Sequence, residues 1–243
     1  MLIFVMPPAV ALAQTPGSSV PLVSIDLDQN AENGKVSVVM QIFLLLTVLS
    51  LAPSILVMVT SFTRIAIVLS LLRQAIGSNQ LPPNQIIIGL SLFLTFFIMA
   101  PVWQNVHQQA LKPYLSNEMD STQAMQKAIE PVRKFMIRQT REKDLGMMMS
   151  VAKLERPNNI NEVPLQVLVP SFIISELKTA FQIGFMLYVP FLVIDMVVAS
   201  VLLSMGMMML PPVMVSLPFK LMIFVLIDGW YLIVGSLVKS FAV

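Results

Sequence analysis

Residues Val36 to Leu72 form an apolar run interrupted only by Gln41, a scatter of serine and threonine around Pro53, and Arg64. The run exceeds the roughly 20 residues with which a helix crosses a bilayer. It must therefore break near Pro53 or continue beyond the hydrocarbon as one long kinked helix. Arg64 and Arg73 flank Ile65–Leu72, a patch too short to cross alone, which reads as half of a helical hairpin. The hairpin ends at Gly77-Ser78-Asn79 and Leu81-Pro82-Pro83, with Asn84 as N-cap of the next helix. That helix, Ile86–Val102, is closed by Pro101 and by Trp103 at an interface position. A further apolar run, Leu165–Leu203, contains Glu176, Lys178, Asp195, Pro170 and Pro190, and Val213–Val238 contains Pro218, Lys220 and Asp228. With 56% hydrophobic and 12% charged residues and a mean hydropathy of +0.82, the whole chain is far more apolar than a soluble domain of 243 residues.

The polar stretches divide these runs. Residues 1–13 end in Ala11-Leu12-Ala13, the small-x-small form of a signal-peptide cleavage site, although no Lys or Arg precedes the apolar stretch. Residues 14–35 lack helical periodicity and read as an exposed arm. Between Gln104 and Pro164, nine Lys/Arg and seven acids mix with apolar residues near helical spacing, which marks a small water-exposed helical domain. A cleaved signal puts the mature N-terminus outside; four crossings then put residues 104–164 outside and the Arg64/Arg73 connection inside. The positive-inside rule supports this through its short loop, whereas a bare count of Lys and Arg favours the opposite orientation. The predicted fold is an all-α membrane protein: long broken helical hairpins at residues 36–103 and 165–243, with a small extracytoplasmic helical domain at 104–164. Broken helices rich in Pro and polar residues can also be buried in protein rather than lipid.

Composition narrows the chemistry. The chain has no cysteine, which removes disulfides, thiolate metal sites and cysteine nucleophiles, and its lone histidine, His107, lies close to Trp103 and reads as interfacial. No phosphate loop, paired-His helix or nucleophile elbow is present, so no enzyme, cofactor or metal site is predicted. Asp195 and Asp228 could be cast as an intramembrane aspartyl pair, but neither lies in a supporting motif. A pore subunit and a small-ion or proton transporter remain as the main readings; the absence of a clear internal repeat weighs against the transporter. Arg64, Glu176, Asp195, Lys220 and Asp228 lie in apolar surroundings, where an unpaired charge is costly, and each is expected to be buried against a partner or a wet cavity. Lys178 is expected to snorkel to an aqueous boundary.

One turn differs from the others. From Met205 to Lys220 the chain reads Met-Gly-Met-Met-Met-Leu-Pro-Pro-Val-Met-Val-Ser-Leu-Pro-Phe-Lys, and Pro211-Pro212 forces a turn lined with thioethers rather than polar groups. Flexible, polarizable methionines suit a deformable constriction, and they equally suit filler in a packed loop.

Several segments resemble one family. Ser61-Phe62-Thr63-Arg64-Ile65, Leu69-Ser70-Leu71-Leu72-Arg73, Pro82-Pro83-Asn84-Gln85 and Leu92–Met99 are similar to the first signature of the FliP family. Pro170-Ser171-Phe172, Glu176–Phe181, Ile183-Gly184-Phe185, Pro190-Phe191, Asp195, Ser204–Met209, Pro211-Pro212 and Leu217–Lys220 resemble its second, and Asp228-Gly229-Trp230 resembles the flagellar branch. The resemblance implies a core subunit of a flagellar type III export gate in the bacterial inner membrane, within the basal body. It implies five copies joined by FliQ-like and FliR-like partners in a closed cone that passes unfolded substrates, with energy from a separate proton-driven gate protein and an ATPase. Met207, Met208 and Met209, with Met205 beside them, match the family's gasket loop. The family's subunits sit largely above the usual bilayer plane, so counted crossings need not be real ones. The resemblance also favours an ion pair between Glu176 and Lys220 of neighbouring copies, over the hairpin alternative in which Asp195 faces Lys220 within one chain and over satisfaction of Asp195 elsewhere by Ser200 or water.

Overall fold

A computed structural model describes residues 38–78, 81–154, 159, 162–207 and 209–241. The expected signal peptide at 1–13 and arm at 14–35 lie outside the described residues. All regular elements among the described residues are helices, and the chain is an all-α membrane protein. By length and composition, Asn84–Leu115 and Leu165–Ser204 can each cross a membrane. Two broken helix pairs pass the same test when each pair is taken together.

Backbone contacts divide the chain into residues 1–50 and residues 51–243. In the first unit the described residues belong to the opening turns of α1 (Val38–Met58), whose side chains from Ile42 to Leu49 are exposed and almost all apolar. In the second unit, α1 runs through Pro53 and ends five residues later. The break falls at residues 59–61, where no proline stands. Side chains hold this corner: the Thr63 hydroxyl donates to the Val57 carbonyl at 3.2 Å, and the Phe62 amide to the Thr60 hydroxyl at 3.5 Å. They supply partners where the helical ladder is interrupted.

After the corner, α2 (Phe62–Ile76) buries Ile65, Val68, Leu69, Leu72, Ala75 and Ile76, a wide helical stripe enclosed by other helices. Gly77 ends it in the left-handed region at φ +92°, with its amide donating to the Gln74 carbonyl. The next helix, α3 (Asn84–Val106), starts behind Pro83 rather than behind an Asn84 cap; the Asn84 side chain instead accepts from Arg73 at 2.6 Å. Pro101 does not close α3. The helix continues to Val106 and passes through a π-helical turn, His107–Leu111, into α4 (Lys112–Leu115).

Asp120 caps α5 (Ser121–Gln139) by accepting from the Thr122 amide at 3.3 Å. The amides of Ser121 and Thr122 hold its carboxyl below the ordinary range. Together with α6 (Glu142–Val151), α5 lies on α3 and α7 and adds Phe135, Met136 and Met149 to the common core. Helix α7 (Leu165–Ser204) has 40 residues, about 60 Å of helix, and contains both Pro170 and Pro190 without breaking. Then α8 (Pro212–Leu226) and α9 (Gly229–Lys239) follow with a 66° bend between them.

The most extensive helix contact joins α2 to α7, and Gly184 sets its closeness. A Cβ on Gly184 would lie 2.2 Å from Leu71 Cδ1 and 3.1 Å from Leu71 Cβ, so a side chain there would force Leu71 out of its place in the contact.

Candidate functional site

Two buried charge clusters fix α7 against its neighbours, and one exposed turn follows at its end. In the first cluster, Arg64 of α2 is 2% exposed and Glu176 of α7 is fully buried. The guanidinium forks onto the carboxylate, with Nε donating to Oε2 at 2.9 Å and Nη2 donating to Oε1. Its remaining donors reach Gln139 Oε1 at 3.0 Å and the carbonyl and hydroxyl of Ser240 at 3.1 and 3.2 Å. Phe241 completes the cage: its ring centroid lies 3.9 Å from Arg64 Cζ, and its carbonyl accepts from Gln139 at 2.7 Å. Arginine suits this place because its planar fork serves several acceptors at once.

The second cluster lies on α8. Lys220 Nζ donates to Asp195 Oδ2 at 2.6 Å and to the Ala75 carbonyl at 3.2 Å. Ser216, one turn earlier on the same helix, donates to the other Asp195 oxygen. Ala75 belongs to the last turn of α2, where unpaired carbonyls attract a cation.

These contacts revise the charge pairing read from the sequence. Glu176 and Lys220 are not brought together within the chain; each already has an internal partner, so the premise that they need one another across a subunit boundary does not hold. Asp195 takes Lys220, in the hairpin geometry first set aside, and Ser216 rather than Ser200 serves it. No local pattern could reveal Arg64–Glu176, because its two ends lie 112 residues apart. Asp228, expected to be buried, is exposed at the α8–α9 bend in the left-handed conformation, φ 52° and ψ 53°. Aspartate tolerates that conformation, and the buried Gly229 beside it makes room for Phe224, whose ring lies 2.4 Å from a hypothetical Cβ. Lys178 is exposed.

Beyond the second cluster comes the methionine turn. Helix α7 closes with Gly206 in the left-handed region at φ +74°, and the amides of Met205, Gly206 and Met207 donate to Val201, Leu203 and Leu202 carbonyls at 3.0–3.1 Å. On the other side, Pro211 precedes α8 and Pro212 opens it. Between these anchored ends, Met209 is 98% exposed and Met205 64%, while Met207 is half-buried. Met208 lies outside the described residues. Leu210, Val213 and Met214 extend the exposed apolar surface onto α8. Among the described residues no group of three or more His, Cys, Asp or Glu could hold a metal ion.

Comparison with known proteins agrees with the resemblance. The sequence model of the FliP family matches residues 45–237. The chain is 55% identical over 217 residues to the flagellar biosynthetic protein FliP of Bacillus subtilis (strain 168), covering 89% of this chain and 98% of that protein. It is 51% identical over 229 residues to the protein of the same name from Pectobacterium carotovorum subsp. carotovorum, covering 94% and 86%. The Aquifex aeolicus (strain VF5) protein of that name is 52% identical over 203 residues, covering 83% and 85%. With most of its length matched by the family and by these relatives, the chain belongs to the FliP family.

Proposed function

We propose that this chain is a core subunit of the flagellar type III protein export gate. In this reading five copies join FliQ-like and FliR-like partners in the bacterial inner membrane and wind into a closed helical pore within the basal body. Unfolded flagellar subunits pass through its lumen, driven by a separate proton-powered gate protein. Residues 104–164 lie on the extracytoplasmic side and help copies associate, and Met207, Met208 and Met209, with Met205, form the gasket.

The exposed methionine tip carries this reading. Fully burying a methionine side chain is favourable by about 1.5–3 kcal/mol, yet Met209 stands almost wholly free between two anchored helix ends. A ring of such tips from several copies would bury these side chains against one another. An unbranched thioether can also remould around a moving polypeptide, as a ring of branched residues would do less well. The family membership and the flagellar names of the relatives support the wider assignment.

Replacing Met207, Met208 and Met209 together by Ala tests the seal. Assembly and secretion should persist while the membrane becomes leaky to small ions, read as dye release or growth inhibition on induction. Unchanged ion permeability in an assembled, secreting variant would return the turn to filler.

A further inference from the structure

The polar cleft between α3 and α5 takes no part in the charge clusters or the methionine tip. It holds about 210 Å³ of free space. That is below the roughly 300–1,000 Å³ of sites for drug-sized ligands, and it suits a side chain. Lys134 and Arg138, four residues apart on α5, line the cleft with Asn105 of α3 and Gln109 of the π-helical turn, over the apolar Val102 and Phe135. All four polar side chains are exposed, and none has an ion pair or hydrogen bond among the described residues. Two cations and two amides therefore converge, without partners, on one opening.

The complement of this cleft stands at the other end of the same hairpin, in the turn from α4 to α5. Asn117 is in the left-handed region at φ 55°, and the amides of Asn117 and Glu118 donate to the Tyr114 and Pro113 carbonyls at 3.1 and 3.0 Å. On this pinned backbone Glu118 carries an exposed carboxylate that has no partner among the described residues. Just before it, Leu111, Tyr114 and Leu115 form one apolar face at helical spacing, 46%, 45% and 69% exposed. The other two acids of the hairpin are engaged: Asp120 caps α5, and Glu130 pairs with Lys127 at 3.8 Å. From Asn105 to Ser116 the helical path rises about 16 Å, too far for Glu118 to enter the cleft of its own chain. A match of tip to cleft is therefore a contact between copies. Because its two surfaces differ, it is of the head-to-tail kind that closes a ring or winds a helix.

We infer that the α4–α5 tip of one copy docks in the α3–α5 cleft of the next, with the Glu118 carboxylate accepting from Lys134 and Arg138 and the apolar face around Leu115 covering the rim. This rests on the reading of the chain as one of several copies in an export gate, and it names a surface that joins them. The test is disulfide cross-linking of the full chain in membranes with its assembled partners, which the absence of native cysteine makes clean. Ser116→Cys and Asn105→Cys in the same chain should give a ladder of linked copies on mild oxidation, and either alone should give none. Within one chain these sites lie well beyond the roughly 7 Å that a disulfide can bridge. Glu118→Lys should weaken the ladder at least about tenfold, and adding Lys134→Glu with Arg138→Glu should restore part of it. Glu142→Gln, in the first turn of α6, should leave it unchanged. The cysteine pair keeps every charge in place, so it decides the matter even where the reversal variants do not fold. Dimers from Ser116→Cys alone overturn the docking in favour of a symmetric contact of tip with tip. No ladder from an assembly that still holds several copies overturns the docking and leaves the gate reading standing. Recovery of the chain only as a monomer beside its partners overturns the gate reading, and the docking with it.

Discussion

The two halves of α7 belong to one apolar helix but differ in polar content and are differently employed. From residue 165 to 184 the helix buries Val167, Leu168, Ser171, Phe172, Ser175, Glu176, Ala180 and Gly184 inside its own chain. From 185 to 204 only Phe191 and Leu202 are buried, while Phe185, Met186, Met196 and Val197 are each more than half exposed. Hydropathy measures how strongly a face avoids water, and it does not specify what covers the face. The first half is recognisable by its small and polar residues: Ser175 donates to the buried Asp144 at 2.8 Å, Gly184 admits Leu71, and Glu176 holds Arg64. The second half lacks such features apart from Asp195 and offers its surface to lipid or to another chain.

The strongest way to break the contrast is to remove its anchor. Glu176→Gln leaves the Arg64 charge buried without its counter-ion and should destabilise the chain by about 3–5 kcal/mol, measured by denaturation in micelles. A loss below about 1 kcal/mol would show that the guanidinium finds water or another acceptor. A smaller effect should follow from Gly184→Val, because the added atoms overlap Leu71 at the centre of the α2–α7 contact. The cost should be about 1–3 kcal/mol, and Leu71→Ala in the same chain should recover part of it by clearing space. The smallest change in chain stability, within about 0.5 kcal/mol, should come from Met196→Ala with Val197→Ala in the exposed half. That variant should lower the yield of the multi-chain complex instead. A loss above about 2 kcal/mol in the isolated chain would mean that this half is packed internally after all.

Much of the architecture was legible. The apolar runs appear as helices, the charged stretch contains α5 and α6, and Pro211-Pro212 leads from the methionine turn into α8. Helix ends are the weak point: the sequence suggests that Pro101 closes its helix and leaves Pro53 as a break or a kink. Pro53, Pro101, Pro131, Pro170, Pro190 and Pro218 all lie inside helices. In apolar surroundings, continuing the helix satisfies more backbone groups than a break would, and small local adjustments accommodate the missing donor. The actual break at residues 59–61 is bridged by the hydroxyls of Thr60 and Thr63, a signal present in the sequence but outweighed by Pro53. Charge pairing was half legible. The hairpin made Asp195 and Lys220 natural neighbours across the turn, whereas Arg64 and Glu176 meet only through tertiary packing.

The Arg64 cage also has a biosynthetic consequence. Its donors are satisfied by residues at 139, 176 and 240, so the last of these contacts closes across 176 residues of sequence. At bacterial and eukaryotic elongation speeds of about 5–20 residues per second, roughly 10–35 s separate synthesis of the arginine from synthesis of Ser240. During that interval a nascent helix carries a cation that its own chain cannot yet fully accommodate. Closure of the cage therefore waits until synthesis has passed Ser240, and a copy stalled short of it would present an incompletely satisfied arginine to the machinery that sorts membrane proteins.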